Sequence, residues 1–588
     1  MVPEPSNQFF YNKNTRQTGF LGSIVEKYNF SSLPFYSIKG TVLVYSVNYA
    51  NLTSRKDNMN LNRRDFLRQL GFGAAGLTLA TTLPVSAWTA PAKTGKLPRS
   101  LPEAQGVAPG GLLEFANTID AKKLNVHSVM VLRHGQVVAE GWWVPYAPQY
   151  KHTLYSLSKS FTSSAVGMAV SEKRLTVEDK VISFFPKDLP ETVSDNLAAM
   201  RVKDLLTMNT GHEKEPTAII REGEDANWVK GFLAFPVEHK PGTLFVYNSA
   251  ATYMLSAIVQ KLTGQTVLEY LKPRLFGPLG IEGMDWEVSP QGINTGGWGL
   301  RLKTEDIAKF GQLYLQKGMW NGKRLLSEAW INDATRMEVP SKGGKGDASV
   351  NDWVQGYGYQ FWRCRHDAYR GDGAFGQYCI VLPKQDAVVA ITSESADMQG
   401  IMNAVWDHIL PALDGTGLSA AKATQTALTQ KLATLALPFP KDESSSPMVD
   451  KIGGKTFTFP DNAMHAKSAS LSFGKDGCIF KLTDNQGDHQ VNCGLNRWID
   501  TTTTFPIAPM SLTPTVVPGG DTRKVAATGT WQDPNTFLMT WRFIETAHYE
   551  TVTCRFGADT MQVEFQKSLT KINGSKDTRP VLEGKMIA

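Results

Sequence analysis

Ser156 and Lys159, in the run LYSLSKSFTSSAVGMAVSEKRLTVEDKV, place a hydroxyl and an amine three residues apart. On a helix such a pair shares one face. Burial of that helix would lower the lysine pKa, and a neutral amine about one hydrogen bond from a serine can take its proton and make it a nucleophile. The tetrapeptide alone discriminates little, because Ser-x-x-Lys recurs at Ser472 to Lys475 and at Ser568 to Lys571. Context separates the three. Behind Ser156 come Phe161, Ala165, Val166, Met168, Ala169 and Val170 with small serines between, the pattern of a helix apolar nearly all round and therefore buried. Ser472 and Ser568 sit in or beside alternating, strand-like stretches. The bland alternative for Ser156 and Lys159 is a helix start with a serine cap and a solvated lysine.

The elements that would hold this pair lie on both sides of it. SVMVLRHGQVVAEGWW reads as two strands turning at His134-Gly135, followed by the Ser156 helix, and GQYCIVLPKQDAVVAITSE reads as a second pair turning at Pro383 to Asp386. Between them lie helical patterns such as DANWVKGFLAF, AATYMLSAIVQKLTG and TEDIAKFGQLYLQKG. Strands at both ends with helices between predict one antiparallel sheet completed by its two termini, with a helical insertion. After an alanine-rich helical stretch and the linker-like LPFPKDESSSP, segments such as LSFGKDGCIFKL and TFLMTWRFIE alternate between turn residues and predict a sandwich or small barrel. The expected division is a catalytic domain over 95–415, a helix and linker over 416–449, and a β-rich domain over 450–588.

Residues 60 to 91 have a basic start, a glycine- and alanine-rich apolar stretch and a small-residue end at Val85-Ser86-Ala87, the form of an export signal. Arg63-Arg64-Asp65-Phe66-Leu67 resembles the twin-arginine pattern, which implies a bacterial protein exported to the periplasm or beyond. The expectation is a signal over 59–87, translation starting at Met59, a non-native or disordered extension over 1–58, and no membrane anchor after cleavage. Residues 1 to 87 hold nine basic and four acidic residues, so +5 of the chain's net charge of +6 belongs to the leader. The remainder gives no reason to invoke nucleic acid. Five cysteines are too few for a disulfide framework, although one periplasmic bridge, Cys478 with Cys493 for instance, is an option. The ten histidines are scattered and form no H-E-x-x-H, so neither a metal nor another cofactor is expected. His152 and His212 are read as structural or surface residues.

LYSLSKSFTS, VKDLLTMNTGH, PGTLFVYNSAATYMLSAIVQKLTG, LFGPLGI, GLRLKTEDIAKFGQLYLQKG and GDGAFGQYCIVLP occur in this order between about residues 100 and 412. Together they resemble the serine β-lactamase and penicillin-binding-protein superfamily, with a closer likeness to class C β-lactamases, family VIII esterases and 6-aminohexanoate-oligomer hydrolases. The resemblance implies an α+β fold, an antiparallel sheet flanked by helices with a helical subdomain, beside the C-terminal all-β domain. It implies Ser156 as nucleophile and Lys159 as proton acceptor. Tyr247 matches the tyrosine of the second motif, whose phenolate would be stabilised by ammonium charge and would return a proton to the leaving group. Ser249 stands where the family has Asn, so either Ser249 or Asn248 would hold the lysine or a substrate carbonyl.

The third motif best matches Gly371-Asp372-Gly373, with Asp372 and Gly373 beside the substrate and the N–H of Ala374 joining that of Ser156 as an oxyanion hole. Gly371 replaces the family's cation for a substrate carboxylate, which would have to come from elsewhere, for instance Arg365, His366 or Arg370. The expected partner is therefore a small-molecule or peptide-like acyl compound, an ester or amide without an obligatory carboxylate. Trp298 and Phe375 either wall the pocket or belong to the core. A β-lactamase or D-alanyl-D-alanine carboxypeptidase/D-aminopeptidase is the alternative within this chemistry, and a non-catalytic receptor for an acyl ligand is the alternative outside it. Oligomeric state is not written in the sequence.

Overall fold

His134 and Gly135 both adopt positive φ and turn the chain tightly between strands β1 (Val126–Arg133) and β2 (Gln136–Trp142). The computed structural model describes residues 95–587 apart from 224, 342–345, 416–420, 506–514 and 521. The expected extension over 1–58 and export signal over 59–87 lie outside the described residues. Four more strands complete the sheet: β3 (Trp362–Arg363), β4 (Tyr369–Gly373), β5 (Gln377–Leu382) and β6 (Ala387–Ser393). Their order is β2-β1-β6-β5-β4-β3 and every pairing is antiparallel. The first hairpin thus closes onto the last strand, as the sequence predicts, and the helices between β2 and β3 form the insertion.

Both faces of this sheet are covered, so its inner strands are apolar almost without a break. Met130, Leu132, Val381, Val388 and Ala390 pack with the helical insertion, whereas Val129, Val131, Ile380, Val389 and Ile391 pack against the helix Pro109–Ala121 and the segment Met398–Leu413. The helix Ser158–Ser171 sits inside the first of these layers, with every side chain from Ser158 to Ala169 buried. Its Phe161 stacks on Phe310 of the helix Thr304–Leu315 at 3.9 Å between ring centres. That second helix can lie on the sheet because Gly311 faces it; a Cβ there would come within 2.5 Å of Val388.

The alanine-rich helix Ala421–Ala433 and the residues just after it are docked, while most of 438–447 is exposed. Leu428 and Leu435 are buried against the first helix and β2, and Val144 N–H donates to Leu435 O while Leu437 N–H donates to Val144 O. Among the described residues, ten further strands from Thr456–Thr458 to Leu582–Met586 form one sheet. A short parallel pairing of Gly494 with Thr528 and Leu495 with Gly529 joins its fourth strand to its sixth and closes it into a barrel. The interior is aromatic, with Phe480, Trp531, Trp541 and Phe565 all buried. Cys478 and Cys493 lie opposite each other across a ladder as free thiols.

Phe161→Ala removes a fully buried ring whose neighbours are held by the sheet, a loss of roughly 3–5 kcal/mol. The expected outcome is a melting temperature several degrees below that of the native protein, measured by circular dichroism.

Candidate active site

Ser156 occupies a single 3-10 turn, Tyr155–Leu157, that feeds directly into the helix Ser158–Ser171. Its entry residue Tyr155 has φ 46°, a left-handed conformation that a bulky side chain adopts only when its surroundings hold it there. Lys159, one turn on, is almost completely buried. Its Nζ lies 3.0 Å from Ser156 Oγ, 3.0 Å from Ser249 Oγ and 2.8 Å from the carbonyl oxygen of Gly297. Loss of water pulls the lysine pKa down to about 7, and the carboxylates of Glu215 and Asp372 oppose that pull only in part. Near neutral pH a large share of the amine is therefore unprotonated and can accept the serine proton.

Tyr247 places its ring centre 4.9 Å from Lys159 Nζ, and Ser156 is among the groups that bear on its hydroxyl. Burial drives its pKa above the ordinary tyrosine value, and Ser156 offsets only some of this. Desolvation thus disfavours charge on both groups, which runs against the ionised phenolate expected of Tyr247. The ring is fixed by stacking on Trp362 at 5.4 Å and by the edge of Tyr357.

The two candidates after Tyr247 separate cleanly. Ser249 turns its hydroxyl to Lys159, whereas Asn248 is fully buried and caps the helix Ser249–Thr263, its side chain accepting from Ala251 N–H at 3.0 Å. Asn248 therefore does not face a substrate; its capping bond fixes where the helix, and with it Ser249, begins. Asp372 needs a similar correction. It is buried and paired at 2.8 Å with Arg370, whose guanidinium lies over the Trp353 ring. Arg365 is likewise held, by Asp352 at 2.9 Å and by Asn403, so neither arginine is left open for a substrate carboxylate. His366 is exposed on a turn, beside Trp406.

The glycines of β4 are imposed by close approach to the nucleophile turn. A Cβ on Gly371 would fall 2.3 Å from Leu157 Cδ1 and 2.8 Å from Ser160 Oγ, and one on Gly373 would fall 2.1 Å from Leu154 O. A lysine at position 371 has no room here. The chain then turns through Phe375 and Gly376, both at positive φ, and Gln377 Nε2 braces the turn by donating to Ala374 O at 3.0 Å. Among the described residues, the backbone N–H groups of Ser156 and Ala374 have no acceptor. Phe375 packs on Tyr155, and Trp298 donates its indole N–H to Thr515 Oγ1, so both belong to the packed interior. His152 and His212 are buried too: His152 bonds His127 and His212 bonds Thr210, and burial holds each ring at a pKa of about 4.

Two contributors escaped the sequence reading. Gly297, in the run Gly296-Gly297-Trp298-Gly299, supplies a lysine acceptor, and positive φ at Gly296 and Gly299 shapes its loop. Glu215 accepts from Ser249 N–H at 2.9 Å and so holds the start of that helix beside Lys159. The glycine run was a visible signal. Glu215 carried none.

Residues 115–413 match the Beta-lactamase family. The chain belongs to that family. Among its relatives, the 6-aminohexanoate-dimer hydrolase of Paenarthrobacter ureafaciens is 25% identical over 313 residues, covering 48% of this chain and 78% of that protein. Penicillin-binding protein 4 of Amycolatopsis lactamdurans is 23% identical over 295 residues, covering 44% of this chain and 76% of the other. The octameric penicillin-binding protein homologue from Pyrococcus abyssi, 15% identical with a TM-score of 0.42, aligns with 80% of this chain and 99% of its own. As a member of the Beta-lactamase family the chain is a hydrolase of that superfamily.

Gly373→Ala forces the strand and the Leu154 carbonyl apart, at a cost of about 1–3 kcal/mol. The expected outcome is a folded protein whose Ser156 reacts with a fluorophosphonate at least about tenfold more slowly, since displacement of reacting groups is costly. Intact-mass spectrometry against time checks it.

Proposed function

We propose that the protein is an exported serine hydrolase that cleaves an ester or amide through an acyl-enzyme on Ser156. The observation that carries this reading is the set of three oxygens around buried Lys159 Nζ, one of them Ser156 Oγ. Export rests on the twin-arginine pattern of the leader.

Neutral Lys159 takes the Ser156 proton as Oγ attacks the acyl carbon, and the N–H groups of Ser156 and Ala374 receive the oxygen that becomes negative. On collapse, the bond to the leaving group breaks and Tyr247 gives it a proton, which the Lys159 ammonium replaces. Water then attacks the acyl carbon, loses its proton to the same relay, and expels Ser156 to release the acid. No step calls for a cofactor.

Engagement of Arg365 and Arg370 by their own carboxylates favours acyl groups without an obligatory carboxylate. The 6-aminohexanoate-dimer hydrolase and the penicillin-binding protein among the relatives keep two substrate classes in view, amides on one hand and β-lactam or D-alanyl compounds on the other. Slow or absent nitrocefin turnover alongside hydrolysis of p-nitrophenyl esters or anilides is the expected result; rapid nitrocefin turnover would reverse the preference.

A fluorophosphonate is expected to add once to the native protein and not to Ser156→Ala, and retained turnover in that variant defeats the proposal. Lys159→Ala is expected to lower kcat/KM by at least about a hundredfold, the usual contribution of a positioned base. Because the base must be unprotonated, kcat/KM is expected to rise with pH to a plateau, with an inflection near the Lys159 value of about 7. Each pH unit below it costs about a factor of ten. A flat profile between pH 5 and 8 would remove the lysine from that role.

A further inference from the structure

The barrel reaches the nucleophile turn through the loop Phe543 to His548, between the strands Thr536–Arg542 and Tyr549–Phe556, and through Leu569 and Ile572 of the helix Ser568–Ile572. Thr153 N–H, three residues before Ser156, donates to Glu545 O at 3.1 Å. Ala547 is fully buried against Tyr155 and Phe375. His548, also fully buried, sets its ring between the same two aromatics, 5.8 Å from Tyr155 and 5.2 Å from Phe375, edge to face in both cases.

The ring is fixed at both nitrogens. Nδ1 lies 2.6 Å from Glu394 Oε1, and Nε2 bonds the Tyr155 hydroxyl. A carboxylate only accepts, so Nδ1 carries the hydrogen and, in the neutral ring, Nε2 accepts from Tyr155 O–H. Glu394, just beyond β6, is buried and is bonded a second time by Ser568 Oγ of the barrel. Tyr155 directly precedes Ser156 and Phe375 directly follows Ala374, and both hold positive φ. One imidazole thus touches the neighbours of both N–H groups assigned to the oxyanion.

We infer that His548, delivered by the C-terminal barrel, is a positioning residue that sets the oxyanion hole by clamping Tyr155 and Phe375. A left-handed tyrosine and phenylalanine need external support to persist, and the Glu394–His548–Tyr155 chain supplies it from buried, mutually satisfied groups. The barrel is thereby part of the reaction's machinery. The kinetic consequence rests on the acyl-enzyme reading; the structural one does not.

The test uses the full chain. In single-turnover acylation by p-nitrophenyl butyrate, His548→Ala is expected to lower the maximal rate roughly tenfold to hundredfold, the scale of a misplaced oxyanion donor, while the half-saturating ester concentration stays unchanged. His548→Gln keeps a polar group near the Nε2 position and is expected to recover most of that loss. Tyr155→Phe removes only the hydroxyl and serves if His548→Ala does not fold; the same fall in rate is expected. Hydrogen exchange reads the clamp without any substrate. Amides of 154–157 and 374–376 are expected to exchange faster in His548→Ala and Tyr155→Phe, with the core of the sheet unchanged. Native acylation rates in folded His548→Ala or Tyr155→Phe, a loss expressed only in half-saturation, or unaltered exchange in these two turns would each overturn the proposal. If the native protein acylates neither with the ester nor with a fluorophosphonate, the serine hydrolase reading is what fails, and exchange alone decides whether His548 holds the turns.

Discussion

The site depends on keeping an amine dry. Among the described residues, Lys159 is offered three oxygens and no carboxylate in direct contact, so its charge is hydrogen-bonded but not neutralised by a touching anion. Coulomb attraction to Glu215 and Asp372 acts at a distance and loses to desolvation. A carboxylate at hydrogen-bond distance would reverse the balance, because a close ion pair stabilises the protonated form. The surrounding elements can be understood as means of excluding both water and a close anion: the buried serine-rich helix from one side, the Ser249 helix from another, and the glycine loop whose Gly297 presents a backbone carbonyl where an acidic side chain would defeat the purpose.

Close approach is the second constraint. β4 lies so near the nucleophile turn that only glycine fits at 371 and 373. The polar side chains of that strand, Arg370 and Asp372, point away from the turn and satisfy each other. An alternating strand thus becomes smooth on the face it shows to Ser156 and ionic on the other. A cationic side chain at 371 is excluded by this packing.

Much of this was legible in the sequence because it follows from short-range pattern. The His134-Gly135 turn, the turn at Pro383 to Asp386 and the all-round apolar helix behind Ser156 are each written in consecutive residues, and the sheet followed from strands at both ends of a helical stretch. What escaped depends on direction. Asn248 and Ser249 are adjacent and both polar, and nothing local says which one caps the helix and which one turns to the lysine. Arg365, Arg370 and Asp372 read as candidate substrate contacts until their partners are known, since a pair such as Arg365 with Asp352 is made through the fold. Glu215 lies in a loop with no periodicity. The ionisation of Tyr247 is out of reach of the sequence for a related reason: ammonium charge nearby favours a phenolate and burial opposes it, and burial is a property of the assembled site.

The pairing of β1 with β6 has a consequence for how the molecule comes into being. Ser128 and Thr392 bond across that seam although 264 residues separate them. During synthesis the amino-terminal hairpin therefore emerges long before the strand that completes its sheet, and one edge of β1 waits with open backbone groups and apolar side chains on both faces. Such distant pairings slow folding and leave an edge exposed to other chains in the interval. Assembly of the domain is thus a late event in the life of the nascent polypeptide, and protection of one strand until its distant partner arrives is part of what this topology demands of the cell.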